Sequence, residues 1–164
     1  MQTIQTILVP TDGSENAARA LESAVSLAMQ FDAELVLLSV LEQQFYVGGL
    51  VGLEGDAKPY RGVTELPPQP EPNENQYTGL TSHQISIAKS DLRNAAALVP
   101  TQVRRRLLLA NGTARENIVT VAKDVQPDLL VMGSRGLGTL RGVLLGSVSK
   151  YVLQQAPMPV LVVK

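Results

Sequence analysis

Five short apolar runs, rich in β-branched residues, recur along this chain, and stretches with helical spacing separate them. Strand, helix and strand in alternation imply parallel strands, right-handed crossovers and helices on both faces of one sheet. The runs are Thr3 to Val9, Glu34 to Leu41, Val103 to Ala110, Asp128 to Met132 and Val160 to Val163. The second and fourth are nearly continuous in apolar character, as strands buried on both faces are. Pro10, Asn111-Gly112 and Gly133 end the first, third and fourth runs.

Helical periodicity fills the intervals. Ala17, Ala20, Leu21, Ala24, Val25, Leu27 and Ala28 predict a helix from a Ser14 N-cap to about Phe31, with Glu15 in its first turn. A second is predicted from about Leu80 to Val99, with Ile85, Ala88, Leu92 and Ala96 on one face and Pro100 at its end. Thr113 and Glu116 have capping-box spacing for a third helix through Val125, which Pro127 stops. Gly146-Ser147-Val148-Ser149 leads into the last, over Lys150 to Gln155. The expected architecture is an α/β three-layer sandwich on a five-stranded, mainly parallel sheet, and 164 residues suit one domain. Residues 43–79 break the pattern. Gly48, Gly49, Gly52, Gly55, Gly62 and Gly79, with Pro59, Pro67, Pro68, Pro70 and Pro72, leave neither period, so this insertion is expected to be partly disordered.

A net charge of −1 gives no general attraction to nucleic acid or to a membrane. The absence of cysteine excludes disulfides, thiol catalysis and thiolate metal sites. No apolar run approaches the ~20 residues of a membrane helix, and the first seven residues lack the regions of a signal peptide. A cytoplasmic protein is the expectation.

The chemistry concentrates after the fourth run. Gly133, Gly136, Gly138, Gly142 and Gly146, with Arg135 and Arg141 and no acidic residue, lie between a buried strand and a helix start. Glycine lets the backbone approach an anion, and a helix N-terminus supplies donors and a favourable dipole. Ser147 and Ser149 add short hydroxyl donors. A second turn, Pro10-Thr11-Asp12-Gly13, follows the first strand. Parallel sheets bind ligands at the carboxyl ends of strands, where the strand order reverses. If the first and fourth strands are neighbours, both turns face one ligand. Gly-x4-Gly-Lys-Ser/Thr and Gly-x-Gly-x-x-Gly loops are missing, as is the Ser-Gly-Gly-x-Asp-Ser turn of ATP pyrophosphatases. His83 stands alone and is assigned no chemistry, and Arg104-Arg105-Arg106 reads as a solvated edge strand.

These residues resemble the universal stress protein family, its ATP-binding branch in particular. That family's signature is glycine, two residues, glycine, nine residues, glycine, then serine or threonine. It stands here as Gly133, Gly136, Gly146 and Ser147. The likeness extends to Val9–Ser14, Leu37–Val40 and Pro157–Val163, and covers the chain except residues 43–79. The resemblance implies a strand order of 3-2-1-4-5 and an adenine nucleotide, ATP or AMP, with Mg2+ accompanying the phosphates. It places Asp12 on the ribose or adenine side, the Val40 backbone at the adenine edge, and Gly133 against the ribose. Arg135, Gly136, Gly146, Ser147, Val148 and Ser149 would surround the phosphates, and Pro10, Thr11 and Met132 complete the expected site. The function implied is that of a nucleotide-binding stress-response regulator. Two alternatives stand beside it. One is a slow ATPase, for which the sequence offers no evident general base beyond Asp12; the other is a dimeric adaptor that needs no nucleotide. In the implied order Val160–Val163 is an apolar edge, which predicts antiparallel pairing with a second copy in a homodimer.

Overall fold

The computed structural model describes residues 3–41, 46–47, 50–51, 63–66, 82–137 and 145–164. In chain order the elements are β1 (Thr6–Pro10), α1 (Glu15–Phe31), β2 (Glu34–Leu41), β3 (Tyr46–Val47), β4 (Leu50–Val51), β5 (Val63–Leu66), α2 (Ser82–Ala97), β6 (Arg105–Asn111), α3 (Ala114–Val125), β7 (Leu129–Gly133), α4 (Ser147–Gln155) and β8 (Val160–Val163).

The main sheet runs β5-β6-β2-β1-β7-β8. Its five strands from β6 to β8 are parallel and stand in the order 3-2-1-4-5. Strand β5 is the exception, pairing antiparallel with β6 from Val63 opposite Ala110 to Leu66 opposite Leu107. Strands β3 and β4 pair separately with each other. The 43–79 insertion therefore contributes three strands where the sequence shows no period; the rest of it lies outside the described residues. Val63-Thr64-Glu65-Leu66 is too short for a two-residue period to register. Its pairing also corrects the edge-strand reading of Arg104-Arg105-Arg106, since β6 is an interior strand of the sheet. The three arginines bond to the ends of neighbouring elements. Arg104 Nη2 donates to the Asp32 carbonyl at 3.0 Å, Arg105 Nη1 to the Val99 carbonyl at 3.4 Å, and Arg106 Nε to Glu34 Oε2 at 3.2 Å.

Alternation along each strand divides the core into two layers. Ile7, Val9, Leu35, Leu37, Leu109 and Val131 pack under α1 and α2, against Ala20, Leu21, Ala24, Leu92 and Ala96. Leu8, Val36, Leu38, Leu108, Leu130 and Met132 pack on the other face, against Ile118, Val119, Val121, Ala122 and Val152 of α3 and α4. Residues of opposite parity serve opposite layers, as a two-residue side-chain period requires. The buried face of α1 is largely alanine (Ala17, Ala20, Ala24 and Ala28), so this helix can approach the sheet closely.

Helix starts follow the sequence unevenly. Ser14 caps α1, its hydroxyl accepting from the Ala17 N–H at 3.2 Å. Thr113 stands at the N-cap of α3 but its side chain makes no capping bond, contrary to the capping-box expectation. The turn there is held from inside the helix by Asn117 Nδ2, which donates to the carbonyls of Asn111 at 3.3 Å and Thr113 at 3.1 Å.

Candidate functional site

Strand β1 lies between β2 and β7, so the strand order reverses at its two sides. The turns that leave β1 and β7 open at that point. After β1, the Thr11 N–H donates to the Leu38 carbonyl at 2.8 Å, and Gly13 takes a φ of 77° that favours glycine. Asp12 Oδ1 accepts from the Ser14 N–H at 3.0 Å. Asp12 Oδ2 reaches across to the glycine loop and accepts from the Leu137 N–H at 3.2 Å.

The ends of that loop are clamped together. The Ser134 N–H donates to the Val163 carbonyl at 2.7 Å, and the Gly146 N–H to the Ser134 carbonyl at 2.8 Å. The Ser149 hydroxyl is directed at the carbonyls of Gly133 at 3.1 Å and Ser134 at 2.9 Å. Residues 138–144, with Gly138, Arg141 and Gly142, lie outside the described residues. A hydroxyl has one proton, so the buried Ser149 side chain is a brace for the loop rather than the free donor expected from the sequence. Ser147, by contrast, is exposed at the cleft.

Helix α4 begins with Gly146 at its N-cap, at φ −69° and ψ 164°, and no side chain caps it. Its first backbone bond runs from the Lys150 N–H to the Gly146 carbonyl at 3.0 Å. The N–H groups of Ser147, Val148 and Ser149 precede that bond and have no intrahelical acceptor, leaving a row of donors at the positive end of the helix dipole. Arg135 is half-buried beside them and makes no ion pair among the described residues.

Two glycines of the loop lie close against other parts of the protein, Gly133 against backbone and Gly136 against the end of a side chain. A Cβ on Gly133 would lie 2.8 Å from the Asn16 carbonyl carbon and 2.9 Å from its Cβ, so α1 leaves no room for a side chain. A Cβ on Gly136 would overlap Asp12 Oδ2.

Strand β2 supplies the other half. The Leu38 carbonyl points toward β1, where Thr11 meets it, and the Leu41 carbonyl points toward β6, where the Gly112 N–H meets it. Backbone groups alternate sides along a strand, so the N–H and carbonyl of Val40 share the Leu38 direction. Strand β1 pairs only as far as Pro10 opposite Leu38. The Val40 pair therefore extends past the end of its neighbour, offering one donor and one acceptor side by side.

A cleft of about 660 Å³ joins these parts. Pro10, Thr11 and Asp12, Val40, Met132 and Gly133, Arg135 and Gly136, and Gly146, Ser147, Val148 and Ser149 all line it. The twelve residues expected in the nucleotide site thus line one cavity, while Gly138, Arg141 and Gly142 lie outside the described residues. Others went unread: Ile87, Ala88 and Asp91 from α2, Ala114 and Ile118 from α3, and Leu137. Ala114 and Ile118 follow Asn111-Gly112, another turn at a strand's carboxyl end, and that position was the signal for them. The α2 residues enter through helix packing, for which no local signal exists. Leu38, Leu41, Ile87, Ile118 and Met132 give the cleft an apolar lining, and Asp12, Asp91, Arg135 and Ser147 add polar side chains. Among the described residues no group of three or more His, Cys, Asp and Glu side chains is placed to hold a metal ion, and no helix is long and apolar enough to cross a membrane.

Residues 3–164 match the sequence model of the universal stress protein family. The universal stress protein YxiE of Bacillus subtilis is 34% identical over 159 residues, covering 96% of this chain and 97% of that protein. Among solved structures, a universal stress protein in complex with cAMP aligns with a TM-score of 0.65 at 24% identity, covering 99% of this chain and 98% of that one. The universal stress protein from Archaeoglobus fulgidus in complex with dAMP aligns with a TM-score of 0.65 at 20% identity, covering 99% and 100%. At these identities the structural likeness is one of fold.

Proposed function

The chain belongs to the universal stress protein family, and on that premise we propose that its cleft binds an adenine nucleotide, ATP or AMP, as a regulatory ligand. The observation that carries this reading is the pairing of an uncapped α4 start with the free backbone edge of β2 across one cavity. Phosphate oxygens suit the N–H groups of Ser147 to Ser149, the Ser147 hydroxyl and Arg135. Adenine suits the apolar lining, its amino group donating to the Val40 carbonyl and a ring nitrogen accepting from the Val40 N–H. Guanine would set an oxygen against that carbonyl, so the same edge disfavours GTP. The ribose falls between, against Gly133. The family members solved with cAMP and dAMP support an adenine nucleotide in this fold. Mg2+ fits only as a companion of the phosphates, since the carboxylates lining the cleft among the described residues are Asp12 and Asp91, too few for a ligand cage.

A regulatory role is favoured over catalysis because both Asp12 oxygens already accept backbone N–H groups. Asp91, which the sequence did not single out, lines the cleft and keeps slow ATP hydrolysis as a second reading. With ATP and Mg2+ the protein should release phosphate far below the enzyme median of about 10 per second. Sustained turnover at that rate, lost in Asp91→Ala, would establish the enzyme. The same proposal includes a cytoplasmic homodimer paired through β8, which is the end strand of the sheet, next to β7, among the described residues.

Thermal unfolding tests the binding. ATP at 100 times its dissociation constant should stabilise the folded protein by about 2.7 kcal/mol. Gly146→Val should abolish that gain while leaving the ligand-free protein folded, because the extended backbone at 146 accepts any residue. No shift in wild-type melting at millimolar ATP or AMP would overturn the reading.

A further inference from the structure

Asp12 stands where the two turns of the cleft meet, and its bonds lead away from the nucleoside half. Its Oδ1 is oriented by the Ser14 N–H, and its Oδ2 holds the Leu137 N–H, 125 positions further along the chain. Gly136 is bare where a side chain would overlap that same Oδ2. The Leu137 side chain is 77% exposed, so packing of its own does not hold this arm of the loop. The base of the loop is tied by Gly146 and Ser149 on Ser134, and Asn16 Nδ2 donates to the Arg135 carbonyl at a long 3.5 Å, so the Asp12 bond is the one that holds the arm at Leu137. Arg135 is two residues before the Asp12 contact, so the contact also sets where the guanidinium can reach.

We propose that Asp12 is a positioning residue for the phosphate half of the cleft: its carboxylate pins the leading arm of the glycine loop, and nucleotide affinity depends on it through the phosphates. This deepens the nucleotide reading, and its ligand measurements rest on that reading. A carboxylate accepting from a backbone N–H makes a charge-assisted bond, and a loop already held in place spares the ligand the cost of ordering it. A residue that instead gripped the ribose or base would serve adenosine and ATP alike.

Two measurements decide the matter. In the ligand-free protein, the water-exchange rate of the Leu137 amide, read by NMR, should rise about tenfold in Asp12→Ala and much less in Asp12→Asn, whose amide oxygen still accepts. By calorimetry, Asp12→Ala should raise the dissociation constant for ATP about tenfold and leave that for adenosine within about twofold, with Asp12→Asn recovering most of the loss. Gly136→Ala displaces the same carboxylate. It should reproduce the ATP defect and add little to it when combined with Asp12→Ala, because the two changes remove one contact. Unchanged Leu137 exchange in Asp12→Ala overturns the proposal, as does equal loss of adenosine and ATP. If the wild type binds neither ligand while Leu137 exchange still responds, the pin stands and the nucleotide reading of the cleft falls.

Discussion

Gly133 shows a glycine that the protein's own packing demands apart from any ligand. Its place in a glycine-rich loop suggests close approach of the backbone to an anion, yet the nearest obstacle to a side chain is Asn16 on α1. The requirement therefore holds in the empty protein. Gly133→Ala should destabilise the ligand-free fold by about 1–3 kcal/mol, the usual cost of overpacking, seen as a lower midpoint in urea unfolding. An unchanged midpoint would show that α1 yields. Ser149 was misread for a related reason. Its spacing on a helix start matches a ligand donor, but spacing does not reveal that two carbonyls of the turn before it face its hydroxyl. The residues most visible in the sequence were those whose chemistry is local: Asp12 in its turn, and Gly146 and Ser147 at a helix start.

Among the elements, those with a long period were legible and those defined by contact were not. Helix α1 was readable from its N-cap to its end, because an alanine-rich stripe recurs over the several turns of its 17 residues. Strand β5 was invisible, being four residues whose structure comes from pairing with β6. The helix caps separate the same two cases. Ser14→Ala removes a made bond and should cost about 1 kcal/mol, whereas Thr113→Ala removes none and should cost only a few tenths. Asn117→Ala takes away the donor that serves two carbonyls before α3, and should cost about 1–3 kcal/mol. Chemical denaturation of the three variants checks the ranking. A Thr113→Ala loss equal to that of Ser14→Ala would contradict it.

For the whole molecule, the alternation of runs was enough to predict parallel strands with helices on both faces, while the strand order came from the family resemblance. The order matters because it brings the turns after β1 and β7 into one cleft and leaves β8 at an edge. Val160, Val162 and Val163 are half-buried there and Leu161 is 39% exposed, so a second copy pairing with β8 would cover apolar surface on both faces. Leu161→Lys should shift sedimentation equilibrium toward monomer with circular dichroism unchanged; a wild-type monomer at tens of micromolar would refute the dimer. The central claim is that one adenine nucleotide spans the cleft from β2 to α4, and an NMR titration of amide shifts with ATP tests both its presence and its place. The account predicts saturable shifts concentrated at Val40, Gly136 and Ser147–Ser149. Shifts that are absent at millimolar ATP, or that cluster away from those amides, would contradict it.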